Sequence, residues 1–170
     1  YSFAFNFASI LIIIGNSFNN TNSVLIFKKL KEGYINSKAQ LNRTISLMFL
    51  IFCAITALLV LGCSIFIPWA VPKYIGSVPY LLPLCLSSLF SCLYLLYVNF
   101  LFYYSKTKQL MYITLTVSVI QVLVTYLVTR FGTIYVAYAN AFGSFLIFFV
   151  VFLYYKRLMR KVEISEIGTN

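Results

Sequence analysis

The chain has no histidine and no aspartate, and its three acidic residues, Glu32, Glu163 and Glu166, stand apart from any second carboxylate that could share acid–base work. The four cysteines, Cys53, Cys63, Cys85 and Cys92, lie inside apolar runs without Cys-x-x-Cys spacing. With histidine missing, a thiolate–imidazole metal site is excluded, and a disulfide framework is not indicated. The cysteines read instead as small apolar packing residues. No glycine-rich phosphate loop and no nucleophile elbow is present. The sequence therefore reads as that of a non-enzyme, with no catalytic residue, no metal and no cofactor. Charge of either sign is scarce, at 9% of residues, where a soluble domain carries about 25%. The basic stretch that opens a signal peptide is also missing. The chain is apolar from Tyr1 to Gly15, and it reads as a fragment that continues from residues upstream.

What the chain has in abundance is apolar residues, 62% of the total. A spanning helix needs about 20 predominantly apolar residues in a row. Five stretches meet that length, at about residues 3–27, 44–67, 78–104, 108–129 and 133–155. None alternates as a barrel strand does, and in lipid such runs must satisfy their backbones internally as helices. The expected fold class is an all-α integral membrane protein of five transmembrane helices, with a bundle over residues 1–156 and a polar, frayed cytoplasmic tail over 157–170. The connections 68–77, 105–107 and 130–132 are short, so successive helices are antiparallel neighbours. Only the connection 28–43 has much polar content.

The net charge of +10 could suggest nucleic acid, but the basic residues sit in short clusters between apolar runs, so no nucleic-acid partner is expected. Their placement carries topology instead. Lys28, Lys29, Lys31, Lys38 and Arg43 follow the first run, Lys106 and Lys108 follow the third, and Lys156, Arg157, Arg160 and Lys161 follow the fifth. The other side holds only Lys73 and Arg130. By the positive-inside rule the clustered side and the C-terminus are cytoplasmic, and Tyr1 lies outside. The tyrosines at 103, 104, 154 and 155 suit one interface, and Trp69, Tyr74 and Tyr80 the other.

No charged residue lies mid-span, which argues against a proton relay or a gating charge. Uncharged polar residues do lie there, in stripes. Asn16, Asn19, Asn20 and Ser23 fall at helical spacing on the first helix, extended by Asn6 and Ser9. Ser88, Ser91, Cys92 and Asn99 form a stripe on the third helix, and Thr114, Ser118, Gln121 and Thr125 one on the fourth. Such faces turn away from lipid. On the third and fourth helices they suit hydrogen bonds between helices. Three asparagines within barely more than one turn of the first helix suit a water-filled cavity better than a dry seam. The candidate cavity-lining residues are Asn16, Asn19, Asn20, Ser23, Asn99, Ser118 and Gln121. On the fifth helix Ala137/Ala141 and Ala139/Gly143, small residues four apart, permit close helix approach.

The order of features resembles one family. Tyr103-Tyr104-Ser105-Lys106-Thr107-Lys108 precedes a helix with a mid-helix amide, Gln121. Phe131-Gly132 follows, then an alanine-rich helix that ends in Tyr154-Tyr155-Lys156-Arg157. Asn19–Gly33 before a basic connection and the stretch Pro68 to Tyr80 fit the same pattern. Together these resemble the C-terminal half of the lipid-linked oligosaccharide flippases, the O-antigen and capsule exporters of the polysaccharide-biosynthesis family. Those belong to the multidrug/oligosaccharidyl-lipid/polysaccharide exporter superfamily. Tyr135 stands where that family commonly has glycine, Gln121 where it has asparagine, and its proline of helix eight is absent. The resemblance implies helices eight to twelve of a twelve-helix flippase in a bacterial inner membrane, working with a missing N-terminal bundle. It implies transport of an undecaprenyl-diphosphate-linked oligosaccharide repeat unit by alternating access, with membrane lipid as a further partner. Lys106 and Lys108 would then be placed to meet the diphosphate, although charges that merely set topology would look the same. A multidrug exporter of the same superfamily would carry an acidic residue in its cavity, and these spans have none. A membrane polysaccharide polymerase or ligase would need a large outer loop, and 68–77 is short, with Lys73 its sole charge.

Overall fold

Long apolar runs have no stable choice in lipid except helix, and the computed structural model, which describes residues 2–168, places five. They are α1 (Ser2–Lys31), α2 (Tyr34–Ala70), α3 (Val78–Tyr103), α4 (Thr107–Val128) and α5 (Thr133–Ile167). Short 3-10 turns, Pro72–Ser77 and Thr129–Phe131, complete the connections, and no strand occurs among the described residues. Each helix is long and apolar enough to cross a membrane. The chain is an all-α, multi-pass membrane bundle.

Helix α3 is its axis. It packs against α1, α2 and α5, while α4 packs mainly on α5. Two thirds of the apolar window of α3 is buried (67%), against 6% for α4. The sides of α4 thus face whatever surrounds the bundle. The helix ends sort by charge. At one end, the basic end, Phe27 meets Tyr103, with ring centroids 5.8 Å apart, and Lys106 shares a cleft with Arg157 and Lys161. At the opposite end Phe3 stacks on Tyr74 at 4.3 Å, and the hydroxyls of Tyr80 and Thr133 lie 2.7 Å apart.

Small residues let the helices close. Gly15 of α1 faces Cys92 of α3, and a Cβ at position 15 would overlap the Cys92 sulfur. The Cys92 thiol donates to the Leu11 carbonyl at 3.4 Å. Gly143 of α5 faces Gln121 of α4 in the same way. Ala137, Ala139 and Ala141 are all buried. Two apolar clusters result. One, toward the basic end, includes Leu11, Phe52, Leu93, Phe100 and Tyr155. The other, toward the opposite end, includes Ala4, Ala8, Ile67, Leu84 and Ala137.

The spans sit where the apolar runs place them, but the basic end differs from the sequence expectation. The connection 28–43 is helical except at Glu32 and Gly33. Gly33 makes the turn at φ 99°, a region glycine enters without steric cost. The helix then restarts at Tyr34 because α5 supplies its cap. The Glu166 carboxylate accepts hydrogen bonds from the backbone N–H groups of Tyr34, at 3.1 Å, and Ile35, at 3.0 Å. Those N–H groups have no partner within α2, and the positive end of the helix favours an anion there. Lys38 and Glu163 form an ion pair at 2.6 Å. The frayed tail expected over 157–170 is corrected for its described part: α5 stays helical to Ile167, and positions 169–170 lie outside the described residues. The α3–α4 turn is a Schellman motif. Lys106 N–H bonds the Leu101 carbonyl at 2.8 Å, and Ser105 N–H bonds the Phe102 carbonyl at 3.0 Å. Ser105, at φ 54°, holds the left-handed position that glycine usually takes.

Candidate substrate cleft

Among the described residues α1 and α5 both lie along α3 without lying along each other. The space between them is a cleft of about 350 Å³ lined by Ile12 and Asn16 from α1, Ser91, Tyr94 and Leu95 from α3, Thr114 from α4, and Ser144 and Ile147 from α5. Asn16, Ser91 and Ser144 each fall near the middle of their apolar run, so the cleft sits at mid-span. Its polar groups are one amide, two serine hydroxyls, a threonine and a tyrosine. No charged side chain lines it.

Several of these hydroxyls are already spent on the bundle. Ser91 donates to the Ser87 carbonyl at 3.0 Å, and Ser144 pairs with Ser87 at 2.8 Å. Thr114 donates to the carbonyls of Leu110 and Met111, both at 3.0 Å. Their oxygens keep acceptor capacity, since a hydroxyl carries two lone pairs. Asn16 is exposed, and it brings both donor and acceptor capacity to the cleft.

The sequence candidates do not converge on one cavity within the chain. Asn16 lines the mid-span cleft. Asn19 lies at the α1–α3 seam, where its carbonyl oxygen accepts from the Asn99 amide at 2.7 Å. Asn20 is exposed, and Ser23 donates to the Asn20 carbonyl at 2.8 Å within the same helix. Ser118 and Gln121 line a second groove, of about 550 Å³, between α4 and α5. There the Gln121 amide donates to the Asn140 side chain at 2.9 Å. Lys106 borders a separate cleft at the basic end, with Tyr104, Arg157 and Lys161. Lys108 is exposed and does not line it.

Sequence reasoning missed four residues. Tyr94 and Ser144 complete the mid-span cleft, and Asn140 is the partner of Gln121. Asn140 and Ser144 are four residues apart on α5, a polar spacing that was legible and was overlooked beside the alanines. Asn22 is fully buried between α1 and α2, and neither of its side-chain polar atoms has a partner among the described residues. It stands outside the stripe that drew attention, and nothing local marks it as inward-facing.

The chain matches no protein-family model, no curated protein and no solved structure.

Proposed function

We propose that this chain forms one helical bundle of a flippase that carries a lipid-linked oligosaccharide repeat unit across a bacterial inner membrane. The observation that carries this reading is the uncharged mid-span cleft, whose lining offers amide and hydroxyl groups and no carboxylate or ammonium. Sugar hydroxyls both donate and accept, and an amide answers both. A cleft built for cations would present an anionic side chain, which also counts against a multidrug exporter. In this reading a second bundle rocks against α1, α3 and α5, exposing the cleft to each side in turn. The polyprenyl chain stays in lipid. Orientation follows the charge asymmetry, with the basic end in the cytoplasm.

The test is glycan display in a flippase-null strain that expresses the complete protein. Replacing Asn16 with Leu removes the one side-chain amide that lines the cleft, at a position where an apolar side chain is well tolerated. Display is expected to fall about tenfold, the equivalent of one or two lost hydrogen bonds, with abundance in the membrane unchanged. Normal display at normal abundance would rule out Asn16 as a substrate contact. Equal loss of display and abundance would mean that Asn16 serves packing.

A further inference from the structure

The cleft at the basic end has a chemistry of its own. It holds about 530 Å³ and is walled by the start of α4 and the last turns of α5. Three cations border it, Lys106, Arg157 and Lys161. None of them forms an ion pair with a described residue, because Glu163 pairs with Lys38 and Glu166 binds the α2 backbone. Three positive charges around one concavity repel one another, and an anion seated among them relieves that repulsion. Gln109 and the hydroxyl of Tyr104 add neutral hydrogen-bonding groups to the rim.

The second observation is what lies below. A separate apolar groove of about 380 Å³, bounded by Ile113, Val150 and Leu153, shares Tyr154 and Arg157 with the cleft as lining residues. From Arg157 to Val150 is seven residues of helix, about 10 Å toward mid-span. A basic cup next to an apolar groove, with Tyr154 and Arg157 common to both, fits an amphiphile, whereas a free anion would use only the cup.

We propose that the α4–α5 cleft is a binding site for an anionic glycerophospholipid, its phosphate among Lys106, Arg157 and Lys161 and one acyl chain along Ile113, Val150 and Leu153. Basic pockets between spanning helices suit such headgroups. The site shares no lining residue with the mid-span cleft. A bound lipid would bridge α4 to α5 where α4 has few other contacts.

The experiment uses the purified full chain in neutral detergent. It is titrated with phosphatidylglycerol, phosphatidylcholine, inorganic phosphate or pyrophosphate, and read by thermal melting and by native mass spectrometry of retained lipid. Phosphatidylglycerol is expected to raise the melting temperature and stay bound, while phosphatidylcholine does neither. The pair Arg157→Gln and Lys161→Gln should raise the half-saturating phosphatidylglycerol concentration on the order of tenfold or more. Leu153→Trp, at a half-exposed position, blocks the groove with every cation in place and should also weaken retention. The control pair Lys73→Gln and Arg130→Gln, at the opposite end, should change nothing. Equal response to the two lipids, or equal affinity in the double variant, would overturn the site. Protection by phosphate or pyrophosphate as strong as by lipid, untouched by Leu153→Trp, would reduce it to a free-anion cup and refute the lipid.

Discussion

An amide in an apolar helix has to be judged by what stands opposite it. Asn19 and Asn16 are one turn apart on α1, yet the first meets Asn99 and the second meets an open cleft. Their difference was not legible in the sequence, for a physical reason. Lipid-facing and helix-facing positions are both apolar in a membrane, so hydropathy marks the span and not the buried side. The same blindness hid Asn22. Small residues were more legible, because four-residue spacing of Ala and Gly means close approach whichever neighbour arrives. Gly143 is the sharpest case, since its missing Cβ leaves room for the Gln121 side chain that donates to Asn140. Gly143→Leu is therefore expected to separate α4 from α5 and to cost about 1–3 kcal/mol, as overpacking of a close-packed site does. Thermal melting in detergent checks this, and an unchanged melting temperature would mean that the α4–α5 contact does not depend on that approach.

At the scale of elements, the sequence located the spans well and their basic ends poorly. Twenty apolar residues need no partner to declare a helix, since lipid forbids the alternatives. In water the same backbone can leave the helix, and what keeps it helical is a contact distant in sequence. Glu166 lies more than 130 residues from the N–H groups it caps, so no local pattern around 28–43 could reveal the extension. The cap also makes a prediction. Glu166→Gln keeps the size and removes the charge, and it should lower stability by about 1 kcal/mol, the usual cost of a weakened cap at a helix N-terminus. Amide hydrogen exchange should rise at Tyr34 and Ile35 while the mid-span helices stay protected. Unaltered exchange there would show that the α2 restart stands without α5.

The whole molecule is a bundle around α3 with polar matter at three depths: the basic cleft, the mid-span cleft and the Ser118–Gln121–Asn140 groove. The sequence marks polar stripes on α1, α3 and α4 but not the Asn140–Ser144 pair of α5, and the fold divides these groups among separate places. Whether the mid-span cleft is a wet path through the membrane is the claim on which the transport account rests. The direct measurement is labelling of single cysteines by a small, water-soluble thiol reagent, with the four native cysteines replaced and the full chain in membranes. Cysteine at position 16 should react, cysteine at position 19 should react far more slowly because it sits in the Asn19–Asn99 seam, and cysteine at exposed Lys108 should report full access. Labelling at 108 with none at 16 would mean that the cleft is dry, and the account of a substrate path there would be contradicted.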